Sequence, residues 1–264
     1  MKKSSILSGN IQDSEFDIGC CVLNDISLES VKKVIKDFSA DDIPHYVVTP
    51  NIDHLQRLLI SPERDRLEKV YRGASLSLCD SRILEALLNI NGYRISEVIT
   101  GSGLTQVLFD QVLTHEDRIF ILGGEERVME IIRERYPKLD IYHYNPGMGF
   151  IKNQEEIQKV VEVVRGVKPN YVFLAVGSPQ QEYMADILSA KKAYKGVALC
   201  VGASMLFLAG MEQRAPEWLQ RLRLEWLYRM SQSPVRLGKR YWKNAISLPS
   251  IHKMLASHSA LRRL

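Results

Sequence analysis

No run in this 264-residue sequence is long and apolar enough to cross a bilayer. The longest uncharged stretch, residues 196–211, counts 16 residues and holds three glycines, whereas a spanning helix needs about 20 mostly apolar residues. It reads as a buried strand, a turn and a helix. A secretory signal is missing as well, because Lys2 and Lys3 lead into Ser, Gly, Asn and acids instead of an apolar core. Cysteine is scarce: Cys20, Cys21, Cys79 and Cys200 show no metal-ligand spacing. The adjacent pair cannot readily bridge, and Cys79 and Cys200 lie in strand-like runs, so all four are expected to be reduced, buried thiols of a cytoplasmic protein. No His-rich metal motif and no G-x-S-x-G occurs. No D-x-D carboxylate pair is present to hold Mg²⁺ or Mn²⁺. G-x-G-x-x-G, with an acid about 20 residues on, is absent too, which counts against a nucleotide-dependent oxidoreductase of Rossmann type. The sequence calls for no metal and no cofactor.

Apolar residues make up 45% and charged residues 25% of the chain, an ordinary folded composition. The net charge of +4 hides a partition. Residues 212–264 carry 11 basic and 3 acidic side chains, a net of +8, which leaves residues 1–211 at −4. An acidic body argues against a nucleic-acid partner bound through the tail. The tail also holds Trp218, Trp226 and Trp242. Tryptophan favours the headgroup level of a membrane, and Lys and Arg are drawn to anionic lipid at about 1 kcal/mol each. Peripheral attachment to an anionic inner-leaflet surface, on the cytoplasmic face of the inner membrane, is expected; the alternative is a helical subdomain with the tryptophans in its core and the charges solvated.

Short apolar runs alternate with amphipathic ones. Strand-like runs cover residues 16–23, 45–49, 75–78, 98–100, 118–122, 141–144, 171–176 and 197–201. Between them, Val31, Val34, Ile35 and Phe38 share a helical face, as do Val128, Ile131, Ile132 and Tyr136, and Ile157, Val160, Val161 and Val164. This alternation predicts an α/β fold: a Rossmann-like, mainly parallel sheet with helices on both faces. The catalytic domain is expected over residues 1–210. A C-terminal helical appendage over 211–264 is expected to break at Pro216, Pro234 and Pro249. Apolar faces near the first helices suit a homo-oligomer, although nothing fixes its number.

In an open parallel sheet the ligand lies beyond the carboxyl ends of the strands, so the turns there carry the search. Thr49 and Asn51, in Thr49-Pro50-Asn51, can each cap the next helix or bond a ligand hydroxyl. Asp80 falls where a helix begins; it either caps that helix or serves as general base toward a sugar hydroxyl. Glycines in Thr100-Gly101-Ser102-Gly103 and at Gly123 and Gly124 either make tight turns or bring amides to a phosphate. Glu125 and Glu126 beside that second pair are unwelcome to an anion. Gln181 and Glu182, in Gly177-Ser178-Pro179-Gln180-Gln181-Glu182, suit paired hydrogen bonds to uracil, ribose or sugar. His143, beside Asn145-Pro146-Gly147, either lines a site or is structural, and His54, His115, His252 and His258 read as surface or helix-face residues.

Taken in order, these turns resemble the WecG/TagA/CpsF family of glycosyltransferases over about residues 15–243. The set runs through Thr-Pro-Asn, Asp80, Thr-Gly-Ser-x-Leu, Gly-x-Pro-Gln-Gln-Glu and Val201-Gly202-Ala203. It ends on Gln213-Arg214-Ala215-Pro216-Glu217-Trp218 and Glu225-Trp226-Leu227-Tyr228-Arg229. The resemblance implies inverting, metal-independent transfer of a hexose-type sugar from a UDP donor to a polyprenyl-diphosphate-linked saccharide, in bacterial surface polysaccharide biosynthesis. Asp80 is then the base, with Thr49, Asn51 and Gln181 around donor and acceptor and with Gly202 in the matching Val-Gly turn. Arg214, Arg221, Arg229, Arg236 and Arg240 would meet the lipid diphosphate. The chain departs from the family at Ser81-Arg82, where Gly usually follows the Asp, at Val98, where an Arg is common, and at Gly103 and Leu206, each in place of Asp. Arg82 is the candidate substitute for the missing arginine.

Overall fold

The computed structural model describes residues 15–213, the isolated positions 216, 219, 227 and 228, and residues 234–261, excepting the side chains of 234–237, 240, 241 and 259–261. Two short strands, β1 (Glu15–Asp17) and β2 (Val22–Asn24), form an antiparallel hairpin. The single strand expected over 16–23 is therefore split, because the chain reverses at Gly19, whose φ is +97°. Helix α1 (Leu28–Ser39) follows, capped by Ser27, and buries Val31, Ile35 and Phe38 from the expected face.

The main sheet holds six parallel strands in the order β4-β3-β8-β7-β5-β6. They are β3 (Pro44–Val48), β4 (Leu76–Ser77), β5 (Arg118–Leu122), β6 (Asp140–Tyr144), β7 (Tyr171–Leu174) and β8 (Gly196–Cys200). Alternation along each strand divides the core in two. Tyr46, Val48, Phe120, Leu122, Val172, Leu174, Ala198 and Cys200 point to the first face. That face is covered by α2 (Ile52–Ile60), α3 (Arg64–Gly73), α4 (Arg82–Ile90), α7 (Gln154–Val167) and α8 (Gln180–Ala190). Val47, Ile119, Ile121, Tyr171, Phe173, Val197 and Leu199 point to the second face. There they meet α1, α5 (Gly101–Gln111), α6 (Glu126–Arg135) and α9 (Ser204–Leu208). All four cysteines are buried and free.

Residues 98–100 form no strand: the Ile99 amide donates to the Cys79 carbonyl (3.0 Å), and the segment turns directly into α5. Pro249 does not break the tail either. It lies inside α10 (Pro234–Leu261), two residues before Ile251, which like Leu255 is fully buried in the first-face core. Burial of those two side chains offsets the roughly 3 kcal/mol that an interior proline costs. Among the described residues no helix is long and apolar enough to cross a membrane.

Candidate active site

The winding of the chain opens two crevices at the carboxyl edge of the sheet. After β3 the chain leaves over the first face through α2, whereas after the neighbouring β8 it leaves over the second through α9. The same opposition separates β5, followed by α6, from its neighbour β7, followed by α8. Ligands of doubly wound sheets enter at such switch points.

The first crevice gathers most of the residues singled out in the sequence. Thr49 is buried, and its hydroxyl donates to the Cys200 carbonyl (3.2 Å), tying the end of β3 to that of β8. Asn51 caps α2, its Oδ1 accepting from the Asp53 and His54 amides (3.0 and 3.3 Å). Half-buried Asp80 is fixed against the same turn, its amide donating to the Pro50 carbonyl (3.0 Å). Asp80 does not cap α4. Ser81 takes that part, accepting from the Leu84 amide (3.2 Å). Arg82 opens α4 beside Asp80, half exposed and 3.6 Å from Glu85. Gly101 closes the back of the crevice: a Cβ there would stand 3.3 Å from the Thr49 hydroxyl and 3.6 Å from the Val201 backbone. Close helix–strand packing accounts for that glycine.

Gln181 and Glu182 open α8 but are almost fully buried. The Gln181 Oε1 accepts from the Gly202 amide (2.8 Å), and its Nε2 donates to Glu182 Oε1 (2.8 Å). The turn after β7 is thereby latched to the end of β8. Burial pushes the Glu182 carboxyl above its usual value, against the hydrogen bond from Gln181 and the charge of Arg57. A raised native value places full stability below pH 4.5, the ordinary glutamate value, and removes it as pH rises through the native value. Glu182→Gln is therefore expected to match wild type near pH 4.5 and to gain on it as pH rises. Urea midpoints between pH 4.5 and 8 measure this; parallel curves would show that Glu182 is charged in the folded protein.

The second crevice is built around Gly123 and Gly124, both at φ near +90°. A Cβ on Gly123 would stand 2.7 Å from Val176 Cγ1 and 3.0 Å from the Ala175 carbonyl carbon. The Gly123 amide is engaged by the Tyr144 carbonyl (2.9 Å). His143 is structural here, its Nδ1 3.0 Å from Glu126 and its Nε2 3.2 and 3.1 Å from the Gly123 and Gly124 carbonyls. Glu126 is also bonded by Arg133 (2.7 Å), so the acid beside the glycines has two partners, Arg133 and His143. Arg133 and then His143 hold its carboxyl below the usual range.

Sequence reasoning passed over Arg57. It pairs with Asp53 one helical turn away and donates to the Ser178 hydroxyl (2.7 Å), joining α2 to the turn that carries Gln181. The i, i+4 spacing of Asp53 and Arg57 directly after Thr-Pro-Asn was the available signal. His54, expected as a surface or helix-face residue, lies on α2 and is buried near the Tyr71 ring. Arg214, Arg221 and Arg229 lie outside the described residues; Arg236 and Arg240 belong to α10, their side chains also outside.

Fold and site together define a doubly wound α/β protein whose sheet edge presents a carboxylate beside hydroxyl and amide groups. Residues 16–260 match the family model described as Glycosyl transferase WecG/TagA/CpsF family, and the chain belongs to that family. It is 27% identical over 196 residues to an N-acetylglucosaminyldiphosphoundecaprenol N-acetyl-beta-D-mannosaminyltransferase of Bacillus spizizenii strain W23, a match covering 72% of each chain. A Staphylococcus aureus MW2 protein of the same name is 30% identical over 130 residues, 47% of this chain and 48% of that one. The second match thus spans about half of each chain.

Proposed function

We propose that the chain is an inverting, metal-independent hexosyltransferase that moves a sugar from a UDP donor to a saccharide carried on polyprenyl diphosphate, for a bacterial surface polysaccharide. The seat of Asp80 carries this reading: its backbone is bonded to the Thr49–Asn51 turn, and Ser81 relieves it of capping. The acceptor hydroxyl lies against Asp80, which takes its proton as the oxygen attacks the anomeric carbon. The bond from that carbon to UDP breaks on the opposite face, so configuration inverts. Thr49, Asn51, Gln181 and Gly202 border the reacting sugars, and the crevice at Gly123 and Gly124 takes the donor nucleotide. Charge on the departing UDP falls to backbone amides, helix N-termini and arginine. The relatives' names support the acceptor class, since both name a saccharide on diphosphoundecaprenol.

UDP release from a panel of UDP-sugars, with a prenyl-diphosphate-linked mono- or disaccharide as acceptor, tests the reading. No release from any pair, or a gel shift with DNA or RNA, would overturn it. Arg82→Ala is expected to raise the donor KM about tenfold, the loss of one charge-assisted hydrogen bond. Unchanged KM and kcat would remove Arg82 from the site.

The basic tail and the exposed Trp242 support peripheral attachment to the cytoplasmic face of the inner membrane. Deleting residues 211–264 would also strip Ile251 and Leu255 from the core. Surface substitutions on α10 are the cleaner probe.

A further inference from the structure

We infer that Glu182 is a positioning residue of the transfer site, fixing the Gln181 amide so that one of its N–H bonds is presented to the reacting sugar. The inference rests on the transfer reading above and adds to it a residue that acts without touching substrate. Glu182 is fully buried, and its Oε1 accepts from Gln181 Nε2 (2.8 Å). Its Oε2 is buried too and lacks a partner with hydrogen-bond geometry among the described residues. A carboxyl group held this way costs stability, and a leucine of similar volume would fill the space without that cost. Packing therefore does not account for an acid at this position, whereas the bond to Gln181 does.

A glutamine amide can sit in two orientations that exchange its oxygen and its nitrogen. Here the Gly202 N–H selects the oxygen on one side, and the Glu182 oxygen selects the nitrogen on the other, each at 2.8 Å. The reverse orientation would set oxygen against oxygen and N–H against N–H. Nε2 carries two N–H bonds, and the second makes no hydrogen bond among the described residues. Gln181 is almost fully buried where the turn after β7 meets the end of β8, and Thr49 ties that same strand end to β3. A buried donor costs free energy until something accepts from it, and at this wall of the first crevice the acceptor is a sugar oxygen. The surrounding backbone is held without Glu182. The Gln181 amide donates to the Gly177 carbonyl (2.9 Å), the Tyr183 amide to the Pro179 carbonyl (3.2 Å), and Ser178 accepts from Arg57 (2.7 Å). Loss of the Glu182 carboxyl thus frees the Gln181 amide and leaves its turn in place.

The test measures UDP release by the full chain, over the donor and acceptor panel above, as kcat and KM of four variants: Glu182→Leu, Glu182→Gln, Gln181→Ala and Gln181→Ala/Glu182→Leu. Glu182→Leu is expected to lower kcat/KM about tenfold, through the loss of one oriented hydrogen bond in the transition state. Glu182→Gln keeps an oxygen for Gln181 Nε2 and should retain most of the activity. On the Gln181→Ala background Glu182→Leu should cost nothing further, because a residue that acts through Gln181 is silent without it. A thermal melt of each variant accompanies the kinetics. Where Glu182→Leu does not fold, Glu182→Met, with its adaptable side chain, takes its place. A chain that folds with neither would show that Glu182 serves stability, and would overturn the proposal. Wild-type kcat/KM in Glu182→Leu, equal losses from Glu182→Leu and Glu182→Gln, or additive losses in the double variant would overturn it as well, while the transferase reading stands. A wild type that releases no UDP from any pair overturns both readings, so the two failures are told apart.

Discussion

Asp80→Asn is expected to lower kcat by roughly 10²- to 10⁴-fold, the range that a positioned general base supplies. The substitution keeps size and shape while it replaces the proton-accepting carboxylate with a neutral amide. The local backbone should survive it, because the main-chain bond from residue 80 to Pro50 does not use the side chain and the α4 cap belongs to Ser81. The thermal midpoint should therefore stay at the wild-type value and the donor KM should change little, so the loss falls on kcat. Steady-state UDP release, measured beside a thermal melt, separates the outcomes. Turnover near wild type would take Asp80 out of the chemistry, whereas a lost fold would mean that its carboxyl serves structure.

The second large effect concerns stability. Gly123→Ala should cost about 3 kcal/mol: a left-handed φ of +92° disfavours any Cβ, and this one would meet the Val176 side chain at 2.7 Å and the Ala175 backbone at 3.0 Å. For a chain of this size that corresponds to a fall of roughly 6–12 °C in Tm. Gly124→Ala is the internal comparison. Its φ is nearly the same, but its nearest neighbour is the flexible end of Met129 at 3.2 Å, so its cost should be smaller. Equal effects of the two substitutions would mean that backbone conformation alone, and not the approach of the β5 and β7 turns, makes Gly123 necessary.

Much of this architecture was legible in the sequence because period and burial coincide. Ile157, Val160, Val161 and Val164 recur at helical spacing and are the four residues that α7 buries. Continuous apolar runs such as 118–122 are strands buried on both faces. The misreadings have a common cause. Residues 98–100 are apolar enough for a strand, yet the segment makes one bond beside the edge of the sheet, from Ile99 to Cys79, before it turns into α5. Pro249 carries a local signal to stop, which the burial of Ile251 and Leu255 outweighs.

The site divides in the same way. Residue type and position after a strand were enough to single out Thr49, Asn51, Asp80 and Gln181 as candidates, because a polar side chain at the carboxyl end of a buried strand has few purely packing roles; Gly202 came only with the family resemblance. Nothing local could assign the α4 cap to Ser81 and not to Asp80, since both types cap equally well. Nor could spacing show that Gln181 reaches the Gly202 amide 21 residues later, or that Arg57 meets Ser178 across 121 residues. By itself, then, the sequence determined the alternating elements, the charge division between body and tail, and the family. The tertiary structure alone decided which turns share a crevice and which side chains latch them together. Those contacts follow from strand order, and strand order arises from crossovers between segments far apart in the chain.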